Sequence, residues 1–367
     1  TPTWPDNLTL KLFILDYKQH MHYTNVYLDS ICYELPPVVV TSAEIEAQLA
    51  PLYRKLHLSP GQLQALTGIR ERRWWYPDTP LSQGAIAAGR KALHQSGIKP
   101  ADIETLVYTG VCRELYEPAT ACRVAAGLGV GKDAFIYDIS NACLGVLNGI
   151  IDIANRIELG QIRAGMVVSC ESARELNETV IRRLLAREDM GFLVRSIATL
   201  TGGSGAVALI ISDGSLTSNP GHRLLGGANR SAPQFHELCR WGIEKVGEDL
   251  FEQFMHTDAV AVLNNGVELG RHTWNDFLAE MNWDTQDVER VVCHQVGESH
   301  QKTILNSIGI PLEKDFATYS FLGNIGTVSL PITAAIGAER GRLVPGQKVA
   351  FLGIGSGLNC MMLGVEW

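Results

Sequence analysis

One cysteine in this chain stands where a thiol becomes a nucleophile. In FIYDISNACLGVLNGI, residues 135–150, Phe135, Ile136, Tyr137 and Ile139 suit a buried strand, and Leu147, Ile150, Ile151 and Ile157 recur at helical spacing. Cys143 therefore falls in the first turn of a helix, where free N–H groups and the positive end of the macrodipole favour a thiolate. Its small neighbours Ala142 and Gly145 leave room for a substrate. Taken alone, the segment fits an inert packed thiol equally well, because cysteines are among the most buried residue types. Two more polar residues occupy comparable places: His294 follows the strand-like ERVVC, and Asn324 precedes the small residues of GNIGTVSLP. The run LGIGSGLN then presents Gly353, Gly355 and Gly357 on a turn after a strand. A lone histidine or glycine turn is common. Cysteine, histidine and asparagine together at the strand ends of one chain are much less common, and they suit chemistry through a nucleophilic thiol.

The elements that must position them alternate between strand-like and amphipathic helical runs, which predicts an α/β fold. The chain also repeats itself. DIETLVYTGV (102–111) resembles DVERVVCHQV (287–296) at an offset of about 185 residues. The same offset, a few residues shorter, lays FIYDISNAC over FATYSFLGN and GMVVSCES over QKVAFLGIGSG, so that Cys143 corresponds to Asn324. Two homologous halves are expected, an N-terminal one over 21–215 and a C-terminal one over 216–367, with strand ends converging between them. Residues 174–200 read as a helical excursion, a lid or pocket wall in one reading and a solvated helix with Arg174, Arg182, Arg183 and Arg187 as surface charges in the favoured one. Residues 1–20 read as an N-terminal extension of unknown role.

Composition narrows the function class. A formal charge of −8 argues against a nucleic-acid groove or an anionic membrane as the main partner. No apolar run is long enough to span a bilayer, and the start lacks the basic leader of a secretory signal, so the expected location is cytoplasmic. The 8 cysteines are scattered without a C-x-x-C pair, which supports neither a zinc site nor a disulfide framework.

The boxes LTGIRERR (66–73), DISNACLGVLNG (138–149), CHQV (293–296), GNIGTVSLP (323–331) and GIGSGLN (353–359) resemble those of the thiolase superfamily, in its β-ketoacyl synthase III-like branch. The resemblance implies a five-layered αβαβα thiolase fold with duplicated halves, a homodimer, and a catalytic set of Cys143, His294 and Asn324. Chain-elongating synthases continue the histidine box as HQAN, whereas this chain has HQVGESHQ. They also carry an adenine-stacking tryptophan where this chain has SPGQLQAL. OleA-type enzymes, which condense two fatty acyl-CoA molecules, are more similar. That resemblance makes Glu117, in CRELYEPATAC, a base delivered to the partner subunit's cysteine.

On this reading Cys143 takes an acyl group from acyl-CoA, with oxyanion donors from its own N–H and the Gly355–Ser356–Gly357 turn, while His294 and Asn324 hold the second thioester as an enolate-like nucleophile forms. Glu117, partly buried against acyl chains and so raised in pKa, would remove the α-proton. Arg70, Arg72 and Arg73 could meet the CoA phosphates. Coenzyme A enters as part of the substrate, and no tightly bound cofactor or metal is expected. Trp74 and Trp75 cover apolar surface or line the CoA entry. Three other readings remain open at this stage: decarboxylative condensation with a malonyl thioester, a thioesterase, and a non-catalytic acyl-CoA-binding partner.

Overall fold

A computed structural model describes residues 21–248 and 250–367, so the proposed extension over 1–20 lies outside the described residues. Its strands are β1 Met21–His22, β2 Tyr27–Glu34, β3 Val38–Thr41, β4 Glu71–Trp74, β5 Thr105–Thr109, β6 Phe135–Ile139, β7 Ala164–Glu171, β8 Gly205–Ser212, β9 His222–Ser231, β10 Cys239–Lys245, β11 Phe251–Thr257, β12 Arg290–Cys293, β13 Lys348–Gly355 and β14 Asn359–Glu366. Hydrogen bonding orders the large sheet β12-β13-β14-β9-β2-β8-β7-β5-β6, with β1 added on β9.

That order is one topology used twice. In the first half β6, β5 and β7 run parallel and β8 and β2 follow antiparallel. In the second, β12 lies parallel to β13, and β14 and β9 follow antiparallel. Where β5 carries β6, β12 carries a parallel bridge from Val291 to Asp315. In the large sheet the halves meet where β2 pairs with β9, at Tyr27↔Arg223 and Leu28↔His222, and where β1 adds on β9. β5 and β12, β6 and the segment from Asp315, and β7 and β13 are the pairs that the internal repeat matched.

Strand alternation sets the layers, because successive side chains point to opposite faces. In β5, Leu106 and Tyr108 pack outward against Ala85, Ala88 and Ala92 of helix Leu81–Ser96 and Val124 of helix Thr120–Leu128. Val107 points inward to Leu147 and Ile150 of helix Gly145–Glu158. β13 does the same in the other half: Val349 and Phe351 join the inner core, while Ala350 and Leu352 face Trp274 and Phe277 of helix Ala259–Met281. Helices Gly145–Glu158 and Ser329–Glu339 therefore lie between two sheets, each covered outside by further helices, an αβαβα sandwich. Helix Ser329–Glu339 is buried on nearly every side, as a helix with no solvent face must be.

A fourth cluster joins the hairpin β3–β4 to the excursion, whose helices are Arg174–Arg187 and Met190–Leu200. The solvated-face expectation holds for Arg182 and Arg187, which are exposed, and is corrected for Arg174 and Arg183, whose side chains are 21% and 11% exposed. Leu176, Val180, Ile181 and Leu184 are buried, and Arg183 pairs with Glu244 at 2.6 Å and Glu252 at 2.8 Å on the hairpin β10–β11. Arg182 also reaches Glu252, Arg174 pairs with Glu178, and Arg187 stacks over Phe192. Among the described residues no helix is long and apolar enough to cross a membrane.

Candidate active site

Cys143 lies immediately before Leu144, the N-cap residue of helix Gly145–Glu158, and follows Ala142, whose φ is +44°. This sharp bend between β6 and the helix puts the thiol at the top of the first sheet. Leu144 caps the helix with no side chain. The cap comes instead from the second half, where Thr327 Oγ1 accepts the Val146 N–H at 2.8 Å. The amides of Leu144 and Gly145 already donate to Asn141 and Ala142 carbonyls. Few free N–H groups remain to favour a thiolate, and burial dominates: with smaller contributions from Cys239 and Glu171 it pushes the Cys143 thiol up to about 12. The helix-terminus expectation of a resting thiolate is thereby overturned. Cys143 rests as a thiol and must lose its proton as it reacts.

The turn carrying Asn324 is seated against the same helix. Its backbone pairs with the first half, Asn324 N–H donating to Thr201 O at 3.0 Å and Gly203 N–H to Asn324 O at 2.9 Å. Asn324 Oδ1 accepts the Gly326 N–H at 3.1 Å, which orients the amide group. Gly323, at φ +71°, has to be glycine, because a Cβ would stand 2.4 Å from Thr201 O. His294 follows β12 and its N–H donates to Leu352 O of β13 at 2.9 Å. Its Nδ1 lies 2.6 Å from Ser329 Oγ, which also accepts the Gln295 N–H at 3.3 Å. When the serine hydroxyl donates to Nδ1, the ring hydrogen sits on Nε2, the tautomer in which His294 offers a donor to a substrate. Burial, then His300, pulls the His294 pKa down to about 4, so the ring is neutral near pH 7.

The glycine turn closes the group. A Cβ on Gly355 would lie 3.4 Å from the Cys143 N, so the turn passes directly over the cysteine's amide. Asn359 Nδ2 bridges to Asn141 Oδ1 at 3.1 Å and to Ser356 O at 3.4 Å, tying the turn to the cysteine box. Cys143, His294, Asn324 and the Gly355–Ser356–Gly357 turn thus stand on four loops tied to one another by hydrogen bonds and close packing. A thiol, two side-chain donors and backbone amides are the groups that acyl transfer through a cysteine uses.

Other expected residues lie elsewhere. Glu117 is exposed, beside Leu115 at 59% and Tyr116 at 91% exposure, so within its own protomer it is not buried against an acyl chain. Arg72 is fully buried, and its guanidinium donates to Ser42 Oγ at 3.1 Å and Leu200 O at 3.2 Å. It cannot meet a CoA phosphate, and desolvation lowers its pKa to about 10. Period-two alternation could have revealed this, since Arg72 shares the inner face of β4 with Trp74. Arg73 is half-buried and donates to Pro36 O at 3.2 Å, while the Arg70 side chain is 65% exposed. Trp74 and Trp75 are both buried, and their indoles donate to Gly202 O and Glu171 O.

Sequence reasoning missed Ser329, Thr327 and Glu171. Glu171 ends β7 at 4% exposure, and burial raises its pKa. No local pattern marks it, because GMVVSCE reads as a strand whichever way its last residue points.

Comparison with known proteins agrees with this architecture. Residues 74–191 match the thiolase N-terminal domain, and residues 278–367 match the 3-oxoacyl-(acyl-carrier-protein) synthase III C-terminal domain. The chain is 59% identical over 349 residues, 95% of its length and 100% of the relative's, to an acyl-CoA:acyl-CoA alkyltransferase of Shewanella oneidensis. It is 34% identical over 348 residues, 95% of its own length and 100% of the other's, to the protein of that name from Xanthomonas campestris. Crystal structures of Xanthomonas campestris OleA superpose with a TM-score of 0.89 at 33% identity, covering 96% of this chain and 100% of that one, one of them with cerulenin bound. A cysteine-to-serine OleA variant with lauric acid and lauroyl-CoA bound gives 0.87 at 34% identity, over 94% of this chain and 100% of that one. The chain belongs to the thiolase superfamily, in the acyl-CoA:acyl-CoA alkyltransferase family of OleA type.

Proposed function

We propose that this protein catalyses the non-decarboxylative, head-to-head Claisen condensation of two fatty acyl-CoA thioesters. The observation that carries the proposal is the interlocked set of Cys143, His294 and Asn324 in a chain matched over its relatives' full length by acyl-CoA:acyl-CoA alkyltransferases.

Cys143 attacks the first thioester; the C–S bond to coenzyme A breaks, an S–C bond to Cys143 forms, and the thiol proton leaves with the coenzyme A thiol. The Cys143 N–H and the Gly355–Ser356–Gly357 turn receive the oxyanion, and one such donor typically contributes ~10²–10³ in rate. The second acyl-CoA then binds with its thioester oxygen toward His294 Nε2–H and Asn324 Nδ2. A carboxylate removes its α-proton, the enolate carbon attacks the acyl-enzyme carbonyl, and the Cys143 thiolate departs and regains a proton. The product is a 2-alkyl-3-oxoacyl-CoA, which water converts to the β-keto acid.

Glu117 of a neighbouring subunit is the proton acceptor in this reading. Its support is the exposed loop Leu115–Tyr116–Glu117 and the open edge of β6, where Phe135 is 59% exposed, both suited to a second copy of the chain. Arg70, its side chain 65% exposed and held among the described residues only by a 3.9 Å ion pair with Glu71, is the arginine placed to meet CoA phosphates. No tightly bound cofactor is invoked, since coenzyme A arrives with the substrate. A cytoplasmic place in lipid and long-chain hydrocarbon biosynthesis fits such chemistry.

Incubation with one saturated acyl-CoA should release coenzyme A and give a long-chain ketone once the β-keto acid loses carbon dioxide. Cys143→Ala should abolish both the acyl adduct seen by mass spectrometry and the ketone. A strict need for a malonyl thioester would replace this reading by the decarboxylative one, and free fatty acid as sole product by the thioesterase.

A further inference from the structure

Glu171 is a buried carboxylate that forms no ion pair among the described residues. It accepts the Val111 N–H at 3.1 Å on Oε1 and the Cys112 N–H at 3.2 Å on Oε2, and the Thr327 amide bonds to it as well. Two glycines press against it: a Cβ on Gly110 would stand 2.8 Å from Oε1, and one on Gly326 3.3 Å from the carboxyl carbon. Val111 and Cys112 begin the loop that carries Glu117. Gly326 and Thr327 belong to the turn that carries Asn324, and Thr327 caps the Cys143 helix through Val146. One side chain therefore touches both structures that serve the second half of the reaction.

The neighbourhood is built to hold that side chain still. Trp75 Nε1 donates to the Glu171 carbonyl at 3.2 Å, fixing the end of β7. The single Tyr108 Oη–H is shared between Cys170 O at 2.8 Å and Cys112 O at 3.0 Å, which holds the loop root beside the same strand. Burying a carboxylate costs several kcal/mol unless hydrogen bonds offset it, and an apolar residue would fill the same space without that penalty. Here the hydrogen bonds come from the Val111 and Cys112 amides and the Cys112 thiol at the root of the Glu117 loop, and from the Thr327 amide in the turn after Asn324.

We propose that Glu171 is a positioning residue that couples the Glu117 loop of one protomer to the Asn324 turn of the same protomer, setting where each presents its group for the carbon–carbon bond-forming step. The inference rests on the condensation reading above. Acylation of Cys143 uses neither Glu117 nor Asn324, and loss of the Glu171 charge removes only a small contribution that holds the thiol up, so acylation should not slow.

The test separates the two half-reactions in Glu171→Ala and Glu171→Gln. Cys143 acylation is followed by single-turnover coenzyme A release and by adduct mass, and condensation by β-keto acid formation. Glu171→Ala should acylate at the wild-type rate within about twofold, while kcat for condensation falls about 10–100-fold with KM little changed, the scale of loss expected when a reacting group is displaced by about 1 Å. Glu171→Gln keeps one acceptor and presents N–H₂ to the other amide, so it should lose roughly a third to a half as much on a logarithmic scale. Should Glu171→Ala fail to fold, the Gln variant reads the same split. Condensation at the wild-type rate in both variants, or parallel loss of acylation and condensation, would overturn the proposal. Failure of the condensation reading shows differently, as wild-type protein that acylates but makes no ketone.

Discussion

Thr327→Val removes one hydroxyl and keeps the shape. The lost bond is the 2.8 Å contact from the Val146 N–H, between residues 181 positions apart, with Val146 at 0% and Thr327 at 2% exposure. Val146 belongs to the first helical turn after Cys143, and Leu144 offers no side-chain cap in place of the hydroxyl. Water has no access to the orphaned amide. Leaving a buried donor unsatisfied costs about 1–3 kcal/mol, a range that overlaps the ~0.5–2 kcal/mol of a lost N-cap. Thr327→Ser keeps the hydroxyl and loses one methyl, worth about 0.8 kcal/mol. Urea midpoints should therefore rank wild type, Ser, then Val. Hydrogen exchange supplies an independent readout, because the amides around Val146 should lose protection in the Val variant alone. If Thr327→Val stays within about 0.5 kcal/mol of wild type, or if the Ser and Val variants exchange alike at Val146, the second half does not cap the catalytic helix.

Four further outcomes follow from the same contacts. His294 titrates near 4 in the fold against 6.5 unfolded, so the unfolded chain binds the extra proton between those values and stability falls as pH drops from 6.5 toward 4. His294→Asn should remove up to about 3 kcal/mol of that loss, read as the change in the wild-type-minus-variant difference in urea stability between pH 7 and 4; a difference independent of pH would contradict a buried neutral ring. Arg72→Ala leaves Ser42 and the Leu200 carbonyl without their donor and should lower stability by about 2–5 kcal/mol, with KM for acyl-CoA within about twofold. Arg70→Ala should do the reverse, raising KM severalfold at unchanged melting temperature, and the opposite pattern in either variant would reassign the phosphate contact. Gly323→Ala should destabilise by more than about 1–3 kcal/mol, since it combines positive φ with a Cβ 2.4 Å from Thr201 O, and a variant with wild-type melting would show that the turn can move.

Sequence alone determined the architecture and singled out the candidate reacting groups. The repeat predicted that DIETLVYTGV and DVERVVCHQV are equivalent strands, and β5 and β12 are. It also set Cys143 opposite Asn324. These features survive in one dimension because strand alternation, helical spacing and short boxes are local, each written in a dozen neighbouring residues. The tertiary structure decided everything that depends on burial and on partners far along the chain. Cys143 occupies a helix terminus as its sequence suggests, yet desolvation and a cap from Thr327 keep it a thiol. Arg72 and Arg70 look interchangeable in LTGIRERR, but one faces the core and the other solvent. Glu171 and Ser329 carry no local signature, because their importance lies in which amides and which ring the fold brings to them. Reactive types can be named from spacing; their protonation, reach and orientation come from the dielectric and the hydrogen bonds that only packing creates.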